Sequence, residues 1–197
     1  MSDDYLLRGR FLLLGGGDGA PTKKEKNNLT PPNNKKEVKM KRVIYWDVDG
    51  VLRDIVGTLG IDLKWGQFPY DIVNQNLEVL VNANVLPYAE ILKKVKDKMN
   101  CKILTAQPFE HWKPYLIKFL ERIGVGDIEV IFVNHGKEKL EILQDGDILI
   151  DDYPFRKEDV KKGAVIQIDY EYNRNSGLPR VNSPEELEKI LQEIEKK

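Results

Sequence analysis

The sequence predicts an α/β fold, a three-layer sandwich in which helices cover both faces of a mainly parallel sheet. Short apolar, β-favouring runs alternate along the chain with segments whose apolar residues recur at helical spacing. Strands separated by helices in this way usually lie parallel in one sheet. The length of 197 residues suits a single domain with appendages.

Five short apolar runs have the composition of buried parallel strands. These runs cover residues 43–46, 101–104, 128–133, 148–150 and 164–168. Between and after them, apolar residues recur every three or four positions, which is typical of one buried helix face. The predicted helices cover residues 88–99, 114–123, 138–143 and 183–194.

The beginning of the last helix has the clearest local signal. Ser183 is a favourable N-cap residue, Pro184 suits the first helical position, and Glu186 completes the pattern of a capping box. Leu187 and Leu191 then begin an apolar stripe along the helix.

The N-terminal part of the chain differs in composition from the rest. Residues 21–42 contain eight lysines and arginines against two glutamates, and residues 15–40 are rich in Gly, Asn and Pro. Such a segment buries little apolar surface, so we predict a flexible basic linker at 15–40 ahead of a folded domain at 41–197. Residues 1–14 are either a disordered terminus or an apolar peptide that docks onto a protein partner.

Composition excludes several classes of protein. A net charge of −1 argues against a wholly basic nucleic-acid binder, and 41% hydrophobic residues argue against a disordered chain. The apolar run at 11–14 is too short to span a membrane, and Asp3 and Asp4 are unfavourable in a signal peptide. The single cysteine, Cys101, fits a reducing compartment, so we expect a cytoplasmic protein.

Polar residues follow three of the predicted strands. Asp47 and Asp49 follow the first strand, Thr105 follows the second, and Asp151 and Asp152 follow the fourth. The carboxyl ends of parallel strands share one edge of a sheet, where ligands bind. Any one of these aspartates could simply form a turn, but together they would repel one another unless a cation intervened. The set predicts a Mg²⁺ site of the kind used with phosphate substrates.

The same segments resemble the sequence motifs of the haloacid dehalogenase (HAD) superfamily. Residues 43–52, an apolar strand followed by DVDGVL, are similar to its first motif, DxDGxL. Residues 103–105 (ILT) resemble its second motif, and residues 148–152 (ILIDD) resemble its fourth. Within the superfamily, residues 149–154 (LIDDYP) are similar to the 5′(3′)-deoxyribonucleotidase branch.

The resemblance implies a HAD-like phosphomonoesterase whose substrate is a phosphorylated small molecule, best guessed as a nucleoside monophosphate. It implies that Asp47 is the nucleophile that forms an aspartyl-phosphate, and that Asp49 is the general acid and base. Thr105 would bind a phosphoryl oxygen. Dehalogenase members of the superfamily lack the second acid, whereas phosphatase members have it.

The resemblance also implies how Mg²⁺ would be held. The Asp47 carboxylate, the backbone carbonyl of Asp49 and the Asp152 carboxylate are the expected ligands, and Asp151 would support them without binding the metal directly. The family's third motif is a lysine that neutralises phosphate charge.

Two lysines are candidates for the third motif and for substrate binding in the predicted site. Lys139 is preferred because its spacing to Asp151 is more typical of this branch, and Lys137 is the alternative. The one that does not fill the motif is expected to be a solvated helix lysine.

Residues 53–86 occupy the position at which HAD proteins insert a cap, and their number permits only a small one. Trp65 and Phe68 in this segment could stack on a nucleobase, but the packing core of the cap is the preferred interpretation. The two histidines, His111 and His135, are isolated in the sequence and do not suggest a zinc site or a Ser/His triad.

Two other functions remain open from the sequence. The basic linker at 15–40 would suit a 3′-phosphatase that acts on nucleic-acid ends. Alternatively, the HAD-like body could be a structural or adaptor component of a larger assembly such as a virus particle, anchored by residues 1–14. The protein would then be virion-associated if it is virus-encoded.

Overall fold

The computed structural model describes residues 42–61 and 68–196. The predicted docking peptide at 1–14 and linker at 15–40 lie outside these residues, as does Trp65. Within the described part of the chain, no helix is both long enough and apolar enough to cross a membrane.

The described residues form eight strands. They are β1 (Ile44–Trp46), β2 (Arg53–Asp54), β3 (Asn84–Val85), β4 (Cys101–Ala106), β5 (Val130–Val133), β6 (Ile148–Asp151), β7 (Ala164–Ile168) and β8 (Arg180–Val181). Six of them build one sheet in the order β5-β4-β1-β6-β7-β8, with every neighbouring pair parallel. The predicted parallel α/β sheet is therefore confirmed. The short edge strand β8 was not predicted.

Seven α-helices accompany the strands in the described residues. They are α1 (Ile55–Leu59), α2 (Tyr70–Gln75), α3 (Val79–Asn82), α4 (Tyr88–Val95), α5 (Lys113–Arg122), α6 (Lys139–Ile142) and α7 (Pro184–Glu195). The helix predicted at 88–99 ends at Val95, where Lys96, Asp97 and Lys98 form turns. Met99 nevertheless packs against the core, as its place in the apolar pattern predicts.

The sheet has an apolar core on each face. Ile44 and Trp46 of β1 lie in the larger core, together with buried residues of α4, α5 and α7. Tyr45 points to the opposite face, where it packs with Leu149 and Phe155 in a second core. This alternation is the two-residue period of a strand buried on both sides, and it explains why β1 is a continuous apolar run.

The register of the three central strands brings their carboxyl ends together. Trp46 of β1 pairs with Ile103 of β4 on one side and with Ile150 of β6 on the other. The backbone N–H of Asp47 then donates to the carbonyl of Ile150 at 3.0 Å. The residues that follow these strands are thus neighbours at a single edge of the sheet.

The segment predicted as a cap, residues 53–86, has a small core of its own. Strands β2 and β3 pair antiparallel at its two ends, and α1, α2 and α3 lie between them in sequence. Ile55, Val73 and Leu80 are buried here together with Trp112, which lies just before α5. The small core therefore joins this segment to α5.

Helix α7 begins as predicted, with one difference in its cap. The Ser183 side chain accepts a hydrogen bond from the N–H of Glu186 at 3.3 Å. The Glu186 carboxylate accepts from the N–H of Asn182 at 2.8 Å, one residue before the N-cap. The first bond of a capping box is therefore present, whereas the Glu186 side chain binds the N–H one residue before the N-cap instead of that of Ser183.

Replacing Ser183 tests this cap. We expect Ser183→Ala to lower the free energy of unfolding by about 1 kcal/mol, because it leaves a helix N–H without its acceptor. Ser183→Asp keeps an acceptor at the same place and should restore most of the loss. Urea unfolding followed by circular dichroism measures both, and equal destabilisation by Ala and Asp would contradict this role.

Candidate active site

Three predicted aspartates meet at the edge of the sheet. Asp47 follows β1, Asp151 is the last residue of β6, and Asp152 comes next. Each contributes a carboxylate oxygen to a group in which all such atoms lie within 4.8 Å of one another. All three side chains are buried. Strand register, rather than proximity in sequence, brings Asp47 to the other two.

Lys139 is the cation that faces these acids. Its Nζ lies 2.9 Å from Asp47 Oδ2 and 2.8 Å from Asp151 Oδ2, and the residue is only 2% exposed. Lys139 is the first residue of α6, so the helix start carries it to the carboxyl end of β6. Lys137, the alternative for the third motif, is exposed.

Asp151 and Asp152 are held differently. Asp151 has both oxygens occupied, since Oδ2 is bound by Lys139 and Oδ1 accepts from the N–H of Tyr153 at 2.8 Å. Asp152 Oδ2 accepts from the Tyr172 hydroxyl. The Asp152 backbone carbonyl accepts from the Asn173 side chain at 2.9 Å. Asp152 therefore offers the less committed carboxylate.

Gly50 allows Asp152 to approach the turn after β1. Its φ is +83°, and a Cβ atom at this position would lie 2.3 Å from Asp152 Oδ2. The positive φ favours glycine, and the close contact excludes any side chain unless Asp152 moves. Both the positive φ of the turn and the close packing of Asp152 therefore favour glycine at this position of the DxDG pattern.

Burial and mutual repulsion disturb the ionisation of the acids. Burial, with the nearby charges of Asp151 and Asp49, raises the pKa of Asp47 to about 7, although Lys139 opposes the shift. Burial, Asp151 and Asp47 raise the pKa of Asp152 well above its usual value. Burial alone would lower the pKa of Lys139, but Asp151 and Asp47 outweigh it and raise that pKa.

The donor set of this cluster fits a hard divalent cation. Three carboxylates face one lysine, so the cluster carries excess negative charge when all three are ionised. Asp47 Oδ1 is buried and has no hydrogen-bond partner among the described residues. Carboxylate oxygens at this spacing are the ligands that Mg²⁺ and similar cations prefer.

Thr105 Oγ1 and Gln107 Oε1, at the end of the neighbouring strand β4, are also buried without a hydrogen-bond partner within residues 42–61 and 68–196. Trp46 Nε1 and Arg180 Nη1 are the other two such atoms in these residues. Thr105 is buried and belongs to β4, a neighbour of β1 that extends two residues beyond the predicted strand. Because buried polar atoms are nearly always hydrogen-bonded in folded proteins, the atoms of Thr105 and Gln107 together with Asp47 Oδ1 mark a place for a polar ligand.

The side chain of Asp49 forms a separate ion pair. Its Oδ1 accepts from Arg53 Nε at 2.7 Å, and its Oδ2 accepts from Arg53 Nη2 at 3.0 Å. Gln107 Nε2 also donates to Asp49 Oδ2, at 3.3 Å. Asp49 therefore lies outside the group formed by Asp47, Asp151 and Asp152, although the sequence placed all four at one edge.

Arg53 links this ion pair to the segment at 53–86. Its side chain is fully buried, and Nη1 donates to the Leu80 carbonyl at 2.6 Å. The guanidinium also lies 5.2 Å from the centre of the Phe119 ring of α5. A carbonyl of α3 and a ring of α5 thus fix the arginine that holds Asp49.

Phe68, one of the two aromatic residues predicted for substrate binding, packs against other rings. Its ring centre lies 5.0 Å from that of Tyr70 and 5.9 Å from that of Trp112, and it contacts the small core of residues 53–86. This position matches the cap-core interpretation, with Tyr70 as the exposed member of the group. Trp65 lies outside the described residues.

Sequence reasoning missed four residues that contact the predicted acids. They are Arg53, Gln107, Tyr172 and Asn173. Arg53 follows Asp49 by four positions and Gln107 follows Thr105 by two. Their closeness to the motifs in the sequence could have identified both residues as candidates. Tyr172 and Asn173 lie in a short 3₁₀ helix (Glu171–Asn173), about twenty residues beyond Asp152. No local pattern distinguishes those two residues.

Comparison with solved structures identifies related folds. A HAD family hydrolase from Deinococcus radiodurans R1, with bound phosphate and sodium, matches with a TM-score of 0.53 at 14% identity, covering 78% of this chain and 96% of the other. L-2-haloacid dehalogenase from Xanthobacter autotrophicus matches with a TM-score of 0.52 at 11% identity, covering 78% and 99%. At these identities the likeness establishes a HAD-like fold.

The sequence itself has no comparable match. No protein-family model and no curated protein matches it. The HAD-like fold is thus established by the structure, in agreement with the motif order in the sequence.

The pKa of Asp47 makes a prediction about stability without metal. In the unfolded chain Asp47 ionises near pH 4, whereas in the folded protein it ionises near pH 7. Its favourable contribution is complete below pH 4 and is lost as the pH rises through 7, because the folded state binds the proton more strongly. Asp47→Asn should therefore raise the free energy of unfolding above pH 7 by about 1–2 kcal/mol.

Urea unfolding in EDTA at pH 5 and pH 8 measures this effect. The stabilisation by Asp47→Asn should be smaller at pH 5 than at pH 8. Asp145→Asn is a matched control at an exposed position and should change stability little at either pH. A destabilising effect of Asp47→Asn at pH 8 would contradict the described electrostatics.

Proposed function

We propose that the protein is a Mg²⁺-dependent phosphomonoesterase that works through an aspartyl-phosphate on Asp47. The observation that carries the proposal is the buried pair of Asp47 and Lys139, with Thr105 buried near the carboxyl end of the neighbouring strand β4. Together these residues supply a carboxylate with one unpaired oxygen, a cation, and a hydroxyl without a partner among the described residues. These are the nucleophile, the charge partner and the donor that phosphoryl transfer requires.

In the first step the Asp47 carboxylate attacks phosphorus, and the bond to the leaving oxygen breaks. Lys139 already binds Asp47 Oδ2 at 2.9 Å, so it fixes the orientation of the carboxylate and also supplies positive charge for the phosphoryl group. The Thr105 hydroxyl donates to a phosphoryl oxygen. Water then hydrolyses the aspartyl-phosphate and restores Asp47.

Asp49 is the general acid and base of this mechanism. It gives a proton to the leaving oxygen in the first step and takes a proton from water in the second. Arg53 holds it with two hydrogen bonds, which gives the carboxylate a defined position. The presence of this second acid favours phosphoryl transfer over dehalogenation, which does not need it.

Mg²⁺ would be held by the carboxylates of Asp47 and Asp152 and the backbone carbonyl of Asp49. Asp151 would assist from outside, because Lys139 and the Tyr153 N–H occupy both of its oxygens. When bound, the cation offsets the charge of the acids and of the phosphate, so that two anions can meet.

We propose nucleoside monophosphates as the substrate class. The resemblance of residues 149–154 to the deoxyribonucleotidase branch supports this choice. The aromatic ring of Phe109, after β4, and the neighbouring ring of Tyr70 also support it, because a nucleobase can stack on an aromatic ring. Phe109 lies three residues beyond β4, and its ring centre is 5.8 Å from that of the half-exposed Tyr70. The 3′-phosphatase and adaptor alternatives rest on residues outside the described part of the chain.

Release of phosphate from a panel of nucleotides tests the activity. Wild-type protein should release phosphate with Mg²⁺ and lose this activity in EDTA. Asp47→Asn should lower the rate at least about 1,000-fold, as expected for loss of a nucleophile. Lys139→Met should lower it about 100-fold or more, whereas Lys137→Met is the matched control and should leave it unchanged.

Two outcomes would contradict the proposal. Equal rates for Asp47→Asn and wild type would remove Asp47 as nucleophile. Activity lost in Lys137→Met but kept in Lys139→Met would reverse the assignment of the lysine.

Thr105 gives a prediction that separates activity from stability. Thr105→Val has nearly the same shape and removes a buried hydroxyl with no partner among the described residues, so the free energy of unfolding should stay equal or rise. The same change should lower kcat/KM about 100-fold, because a donor to the phosphoryl group is lost. Thr105→Ser should retain most activity. A large loss of stability in Thr105→Val would show that the hydroxyl has a structural role.

A further inference from the structure

Gln107 is a buried side chain beside the predicted acids that the mechanism above does not use. It follows β4 directly and is 2% exposed. Its backbone N–H donates to the Val133 carbonyl at 2.8 Å, which extends the ladder between β4 and β5 by one residue. The position of Gln107 is therefore set by the sheet and not by a free loop.

The orientation of the Gln107 amide follows from its neighbour. Nε2 donates to Asp49 Oδ2 at 3.3 Å. The reverse orientation would place the amide oxygen against a carboxylate oxygen, and two acceptors repel each other. Asp49 therefore fixes the NH₂ end, and the carbonyl end must face elsewhere. Oε1 is left buried, with no hydrogen-bond partner among the described residues.

Gln107 and Thr105 project from the same side of the chain. They are two residues apart on an extended segment, so their side chains share a face. Thr105 Oγ1 is also buried without a partner in residues 42–61 and 68–196. The donor of Thr105 suits a phosphoryl oxygen, whereas Gln107 Oε1 can only accept and requires a ligand that carries hydrogen.

We propose that Gln107 Oε1 binds the water that hydrolyses the aspartyl-phosphate, so that Gln107 is a further catalytic residue. The inference rests on the proposed function. A water molecule has two hydrogens: one would be directed to Asp49 and the other to Gln107 Oε1. With both hydrogens engaged, a lone pair of the water oxygen is left to face phosphorus.

The bonds of this step balance. The water oxygen forms a bond to phosphorus, and the bond between phosphorus and the Asp47 oxygen breaks, returning its electron pair to Asp47. One water proton passes to Asp49. The other stays on the new phosphate oxygen, where it still donates to Gln107 Oε1. The products are inorganic phosphate and the free Asp47 carboxylate.

Gln107 acts mainly in the second half of the reaction. In the first step the oxygen beside Asp49 belongs to the leaving group, which has no hydrogen for Oε1 to accept. Gln107 also donates to Asp49, but Arg53 holds that carboxylate with two shorter bonds. Loss of Gln107 should therefore slow dephosphorylation of Asp47 far more than its phosphorylation.

Gln107→Met tests this division because methionine has a similar shape and cannot accept a comparable hydrogen bond. With an aryl phosphate as substrate, we expect kcat to fall about 10–100-fold while kcat/KM, which reports the steps up to phosphorylation, changes less than about threefold. The fraction of phosphorylated protein at steady state, measured by mass spectrometry after a quench, should rise. A chase with excess unlabelled substrate should show slower loss of the phosphoryl group.

Thr105→Val is the contrasting variant, since it should lower kcat/KM without accumulation of phosphoprotein. Gln107→Ala is a second substitution in case methionine disturbs folding, and thermal melts of both variants check the fold. Equal losses of kcat and kcat/KM in the Gln107 variants, or no change in the rate of dephosphorylation, would overturn the inference. Absence of phosphate release by the wild type would instead reject the proposed function itself.

Discussion

The candidate site depends on the balance of charge at one edge of the sheet. Parallel strands bring Asp47, Asp151 and Asp152 within 4.8 Å of one another, and burial deprives them of water. Lys139 offsets part of this charge through two short ion pairs. The remainder is not balanced by the described residues, so the cluster could hold a metal ion. A buried cluster of this kind lowers the free energy of unfolding of the protein without a ligand, and it favours binding of a ligand of opposite charge.

The sequence predicted those parts of the fold that depend on local pattern. Apolar runs located five strands of the central sheet, and Ser183 located the start of α7. Strand β8 has only two residues, too few for a pattern to appear. Helix α4 ends before the turns at residues 96–98. Lysine and aspartate also occur within helices, so the sequence does not mark this end.

In the candidate site, too, local sequence pattern predicts some residues and not others. Asp47, Thr105 and the pair at 151–152 could be predicted because each directly follows or ends an apolar strand. Of the two candidate lysines, Lys139 is buried against the acids and Lys137 is exposed, a difference that spacing in the sequence could only suggest. Tyr172 contacts Asp152 from a short 3₁₀ helix about twenty residues further along the chain, and contacts of that kind depend on tertiary packing.

The contacts of Arg53 limit how the segment at 53–86 could be redesigned. Its guanidinium donates both to Asp49 and to the carbonyl of Leu80, so a buried side chain links the turn after β1 to the segment at 53–86. Exchanging that segment for one of another length would disturb the position of Asp49 along with the small core. The position of the Asp49 carboxylate and the structure of the segment at 53–86 are therefore not independent of each other. A graft at this point would have to preserve the Leu80 carbonyl position.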